Sequence, residues 1–199
     1  MKTGAVITAA GMSSRMGAFK PLLKIGNLSA AEYIIQNFFS AGTPAVTLIT
    51  GNNAEELEKS LSHLDIVFLR NEMYKTNEMF DSIKIGLAHL KDSCDKIFVT
   101  PVDVPLFSVD TLKALQKCNA DVGLAAFKGK TGHPIILNST CIDKILQYSG
   151  DGGLRGAIKA LSLTTEYIET ADQGILYDMN TASDYSAIVQ LHRELPAGS

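Results

Sequence analysis

The sequence predicts an α/β fold in three layers, a mostly parallel sheet with helices on both faces. Three observations lead there. Short apolar runs alternate with helical patterns, turn residues punctuate them, and no repeat, linker or low-complexity stretch divides the 199 residues, so residues 1–199 are expected to form one domain. The runs Gly4 to Ala9, Ala45 to Thr50, Ile66 to Leu69, Lys96 to Thr100 and Val122 to Ala126 are short, partly β-branched and bounded by turn residues, as buried strands are. Between them, Ala31 to Ala41 sets Ile34, Phe38 and Ala41 at helical spacing. Ala54 to Leu64 does so with Leu57, Leu61 and Leu64, and Met79 to Leu90 with Ile83, Leu87 and Leu90. Gly42 to Pro44, Gly51 to Asn53 and Gly150 to Gly153 read as turns. In such a sheet ligands bind beyond the carboxyl ends of the strands.

The first of those ends carries the densest signal. From Gly4 to Lys20 an apolar run breaks into a small-residue loop that holds Arg15, Gly17 and Lys20. Backbone N–H groups approach anionic oxygens closely only where side chains are small, and fixed cations neutralise the remaining charge, so the loop has the chemistry of a phosphate cradle. It is not a Walker A loop: five residues separate Gly11 from Gly17, and Ala18 and Phe19 precede the lysine. Nor is it a dinucleotide fingerprint, because Ser13 and Met16 stand where the second and third glycines belong. A plain strand-to-helix turn with a surface arginine and lysine is the alternative.

Composition sets the outer bounds. An apolar content of 46% and a mean hydropathy of +0.11 suffice for a proper core. A net charge of −3 and a pI near 5.8 argue against nucleic acid or an anionic membrane as partner, since both usually need a basic face. Cys94, Cys118 and Cys141 are widely spaced and form no C-x-x-C pair, so neither a disulfide framework nor a zinc site is expected. The short apolar stretch after Lys2 is too little for a signal core. A soluble, cytoplasmic protein is therefore expected.

The run Thr8, Ala9, Ala10, Gly11, Met12, Ser13, Ser14, Arg15, Met16, Gly17, followed by Lys20, Pro21, Leu22 and Leu23, resembles the signature loop of the molybdenum-cofactor nucleotidyltransferases. That family's pattern, Leu-Ala-Ala-Gly-x-Ser-x-Arg-x-Gly-x-x-Lys, is matched at every fixed position except the first, where Thr8 replaces leucine. The resemblance implies a Rossmann-like fold of the nucleotide-diphospho-sugar transferase type. It also implies a loop that wraps a nucleoside triphosphate through Ala9, Ala10, Gly11, Ser14, Arg15, Gly17 and Lys20. Ala9, Ala10 and Gly11 resemble the molybdopterin cytidylyltransferase branch, whereas the guanylyl branch usually reads Ala-Gly-Gly.

Further patches follow in the family's order. Asp103 with Pro105, just past the Lys96 to Thr100 run, resembles the family's metal aspartate in its Asp-x-Pro context. A triphosphate arrives with Mg²⁺, which takes one or two carboxylates besides phosphate oxygens. The same aspartate would also suit a helix or turn cap. Asp178 to Tyr185 resembles the segment that delivers a second metal ligand; Asp178 is that candidate, with Asn180 its competitor, while Thr181 and Asp184 suit a helix start. Gly132, His133 and Pro134, and Gly150 through Arg155, resemble acceptor-side motifs of the cytidylyl branch, which assigns His133 and Arg155 to the acceptor. A histidine beside a proline also serves as an ordinary structural hydrogen-bonder, and Arg155 as a solvated arginine. Ser82, in the segment from Asn77, falls where the family packs residues near the base and phosphates, or merely begins a helix with Asp81.

The resemblance implies transfer of CMP from CTP to a phosphorylated acceptor such as molybdopterin, with release of pyrophosphate and Mg²⁺ as cofactor. Arg15, Lys20 and Asp103 would be the catalytic residues, Asp103 and Asp178 the metal ligands, and a molybdoenzyme or its chaperone a downstream partner. Two alternatives remain open at this point: a sugar-phosphate or other phospho-alcohol acceptor, and a non-catalytic nucleotide-binding accessory.

Overall fold

The apolar run after Lys2 forms strand β1 (Thr3–Thr8), buried along its whole length. The computed structural model describes residues 1–11 and 16–194. After a 3₁₀ turn at Lys20–Leu22, a small hairpin of β2 (Lys24–Ile25) and β3 (Leu28–Ser29) leads into α1 (Ala30–Ser40). There Ser29 caps the helix by accepting from the Glu32 amide. Then come β4 (Ala45–Thr50), α2 (Ala54–Ser60), β5 (Val67–Arg70), α3 (Met79–Leu90), β6 (Lys96–Pro101) and α4 (Val109–Leu115). The second half holds β7 (Val122–Phe127), β8 (Lys130–Asn138), α5 (Ser139–Gln147), α6 (Gly153–Ala160), β9 (Thr165–Glu169) and α7 (Ala182–Glu194).

The seven-stranded sheet runs in the order β5-β4-β1-β6-β8-β7-β9. Strand β8 is antiparallel to both of its neighbours, and the other pairings are parallel. The fold class read from the sequence is the one observed, with β8 and β9 added to the sheet. The hairpin of β8 with β7 turns on Lys128 (φ 50°) and Gly129 (φ 75°), the left-handed pair that matches strand twist in a two-residue loop. Helix α2 is shorter than its leucine spacing predicts. The hydroxyls of Ser60 and Ser62 bond back to the carbonyls of Leu57 and Lys59, at 2.8 and 2.9 Å, in competition with the helical ladder. Leu61 is buried from a turn instead.

Alternation along β1 and β6 divides the core between the two faces. Ala5, Ile7 and Phe98 pack with Ile34 and Phe38 of α1 and Leu112 of α4. Val6, Ile97 and Val99 pack on the other side with Ile83 and Leu87 of α3 and Ile142 of α5. A third cluster, including Ile25, Met179 and Ile188, seats α7 against the small hairpin. Among the described residues no helix is long and apolar enough to cross a membrane.

Helix α3 approaches β1 at Gly86, where a Cβ would lie 2.5 Å from Cγ1 and 2.7 Å from Cγ2 of Val6. Gly86→Ala gains up to about 1 kcal/mol of helix propensity. The stiff, β-branched Val6 cannot yield without moving the central strand, and such overpacking costs about 1–3 kcal/mol. A net fall of several degrees in Tm is expected in a thermal melt, and this helix carries one wall of the site.

Candidate active site

Parallel pairing sets Thr8 of β1 beside Pro101 of β6, so both strands deliver their following loops to one edge. The Val102 amide donates to the Thr8 carbonyl at 3.0 Å, and the Ala9 amide to that of Ile49 at 2.8 Å. Ala9 and Ala10 are thereby buried while Gly11 emerges exposed. Gly51 permits this approach: a Cβ there would meet that of Ala10 at 2.9 Å. Ser14 and Arg15 lie outside the described residues. Gly17 has φ +64°, a conformation that favours glycine.

Lys20 opens the 3₁₀ turn and points its ammonium at two oxygens. Its Nζ donates to Oδ2 of Asp103 and to Oδ1 of Asn180, each at 3.1 Å. The Lys20 and Asp103 side chains are 13% and 23% exposed, so water screens this pair only in part. The Met179 amide bonds the Asp103 carbonyl at 2.8 Å, tying the segment before α7 to the turn after β6. Asn180 Nδ2 in turn donates to Oδ2 of the exposed Asp178. Of the two competing second ligands, Asn180 thus offers the oxygen nearer the Lys20 ammonium, and Asp178 braces it. The helix-start reading of Thr181 and Asp184 holds as well: each accepts from the other's amide, which keeps the Asp184 carboxyl below its usual range.

Two adjoining cavities open here. The smaller, about 160 Å³, is lined by Ala9, Ala10, Gly11, Lys20, Ser82 and Asp103, among others. Ser82 is 3% exposed, and its hydroxyl accepts from Nδ2 of Asn71 at 3.0 Å. Asn71 escaped the sequence reading, although it directly follows β5 at the carboxyl edge of the sheet and is itself 3% exposed. Ser82 lies inside α3, which starts at Met79; Glu78 and Asp81 form the capping box.

The larger cavity, about 760 Å³, falls in the size range of small-ligand sites. Its floor includes Phe80, Ile83, Val99, Leu124 and Ile135, with His133 beside them, and its rim includes the exposed Arg155, Lys159 and Tyr167. His133 sits on β8, where Gly132 lets the strand pass the Ile175 carbonyl, which a Cβ would approach to 2.1 Å. Burial pushes the His133 imidazole below its ordinary value, against the opposing pull of the Val99 backbone, Asp103 and Asp178. Its Nδ1 has no hydrogen-bond partner among the described residues. Arg155, exposed near the start of α6, reaches the same cavity. The two cavities share Thr8, Glu78, Met79 and Pro101.

Among the described residues no three His, Cys, Asp or Glu side chains gather as a metal-binding group. Asp103, Asn180 and Asp178 instead offer two carboxylates and an amide. This all-oxygen set suits a hard cation that draws its other ligands from phosphate and water; the Asp103 and Asn180 oxygens meet at the Lys20 ammonium, and Asp178 joins them through Asn180.

Solved structures share this fold. A nucleotidyl transferase from Methanothermobacter superposes with a TM-score of 0.85 at 23% identity, over 97% of this chain and 98% of its own. A Mycobacterium tuberculosis protein solved in complex with manganese gives 0.75 at 19% identity, over 96% and 99%. Residues 5–165 match the model of the MobA-like NTP transferase domain, and the chain belongs to that family. It is 26% identical over 192 residues to the molybdenum cofactor cytidylyltransferase of Escherichia coli K12, spanning 96% of this chain and 97% of that protein.

Proposed function

We propose that this nucleotidyltransferase moves CMP from CTP onto the phosphate of molybdopterin and releases pyrophosphate. The observation that carries the reading is the shared wall between a cradle-lined cavity and a larger, basic-rimmed one. Direct transfer needs two substrates held side by side, and alignment alone supplies much of the rate. Similarity along almost its whole length to the Escherichia coli molybdenum cofactor cytidylyltransferase supports cytidylyl transfer and an acceptor of this class.

In the reaction an acceptor phosphate oxygen forms a bond to the α-phosphorus of CTP as the bond to the β-phosphate oxygen breaks. That oxygen is already ionised at neutral pH, so no general base is required. Ala9, Ala10, Gly11 and Gly17 present backbone to the nucleotide, Arg15 and Lys20 neutralise its phosphates, and Ser82 is fixed beside them by Asn71. Mg²⁺ would be held by Asp103 and by Asn180 or Asp178, and supplies charge neutralisation to the triphosphate. His133 and Arg155 would meet the acceptor, the arginine through a two-point grip on phosphate.

Arg155→Ala is expected to raise the KM for molybdopterin about tenfold or more, with the KM for CTP within about twofold, in steady-state kinetics. The base is tested separately. Ala10 leaves less room for a purine than glycine would, and an unpaired polar group in the pocket costs about 1–3 kcal/mol, or roughly tenfold to a hundredfold in kcat/KM. CTP should lead GTP, ATP and UTP by that margin at equal Mg²⁺; a preference for GTP overturns the cytidylyl reading.

A further inference from the structure

Lys84 lies on α3 two residues beyond Ser82, yet it reaches toward the side of the other cavity, which Phe80 lines. Its Nζ donates to the carbonyl of Tyr148, the C-cap residue just past α5, and lies 4.8 Å from the centroid of the Phe80 ring. Helix ends leave carbonyls unpaired and carry partial negative charge, so an ammonium there satisfies both needs. The Tyr148 ring meets Phe80 edge-on, with centroids 6.3 Å apart.

The contact continues toward Arg155. The Tyr148 hydroxyl donates to the Asp151 carbonyl at 2.9 Å. That carbonyl nests against Gly156, where a Cβ would approach it to 2.0 Å. The chain then turns through Gly152 (φ +82°) and Gly153 (φ +59°) into α6, the helix that carries Arg155. The segment Tyr148 to Gly153 is thus clipped to α3 at one end and to α6 at the other. None of these residues figures in the signature loop or the metal-ligand set.

We propose that Lys84 is a positioning residue that holds the Tyr148 to Gly153 segment, and through it the start of α6, so that Arg155 stands over the acceptor cavity. The proposal rests on the reading of that cavity as the acceptor site. Helix α3 also carries Ser82 on the nucleotide side, so one helix fixes the relative placement of both substrates. Loss of the ammonium would leave nucleotide binding in place and loosen only the acceptor grip.

The test compares Lys84→Met, Lys84→Arg, Tyr148→Phe and Arg155→Ala with the unaltered protein, in steady-state kinetics with CTP and molybdopterin and in amide hydrogen exchange without ligands. Lys84→Met should raise the acceptor KM about tenfold and leave the CTP KM within about twofold. It should also speed exchange at least tenfold at Gly156 and the bonded amides of α6 that follow it, since Gly156 makes the first amide bond of that helix, to the Gly152 carbonyl. Lys84→Arg should recover most of both effects, and Tyr148→Phe, which keeps the lysine bond, should show a smaller rise. A merely structural role would instead shift Tm and both KM values together. An unchanged exchange rate in Lys84→Met overturns the brace whatever the acceptor is. An unchanged acceptor KM in Lys84→Met, with Arg155→Ala impaired, also overturns it. If Arg155→Ala itself leaves the acceptor KM unchanged, the acceptor reading of the cavity falls.

Discussion

Lys20→Ala is expected to slow nucleotidyl transfer by about a hundredfold or more, the scale on which a site loses a preorganised charge at a developing anion. The Lys20 side chain is 13% exposed, and its ammonium is held by two oxygens on separate segments, Asp103 after β6 and Asn180 before α7. It is therefore in place before substrate arrives. Its removal leaves Asp103 and Asn180 without the cation they share, so charge balance at the triphosphate changes by a full unit in a partly enclosed site. Lys20→Arg should recover part of the rate, because the charge returns with a different reach and shape. Arg15→Ala is expected to show a loss of similar size. Single-turnover rates at saturating CTP measure the effect, and near-normal turnover in both alanine variants would remove the cradle assignment.

Asp103→Asn should abolish most activity and all strong dependence on Mg²⁺ or Mn²⁺ while the fold persists. The asparagine keeps the shape, and the main-chain bond from the Met179 amide to the residue 103 carbonyl does not involve the side chain. What disappears is a negative charge in an oxygen set that otherwise offers an amide and one exposed carboxylate. Titration of activity with each metal, beside a thermal melt, separates the two effects. Full metal-dependent activity in Asp103→Asn would move the metal site elsewhere.

The parallel half of the sheet was legible because its strands are buried on both faces and read as continuous apolar runs, as in Ala45–Thr50 and Lys96–Pro101. Strand β8 was not, since Gly132 and Pro134 interrupt its strand pattern. Yet the apolar run Ile135 to Leu137 and the turn pair Lys128-Gly129 both signal a hairpin. Strand β9 is an edge strand whose sequence, TEYIE, carries too little apolar character to stand out. At the site, Lys20 and Asp103 were legible because their loops leave one sheet edge, and Asn180 only because its segment resembles the family's. Asn71 was missed although the sheet-edge rule covers it, and Lys84 because its partner is a backbone carbonyl, which no side-chain pattern records.

Transfer itself is tested most directly by following the α-phosphate. With CTP labelled at that phosphorus, Mg²⁺ and molybdopterin, the label should appear in a cytidylylated acceptor with one pyrophosphate released per label transferred. Omitting the acceptor should leave CTP intact. Tight CTP binding with no label transferred and no pyrophosphate released would contradict the account and leave a nucleotide-binding accessory in its place.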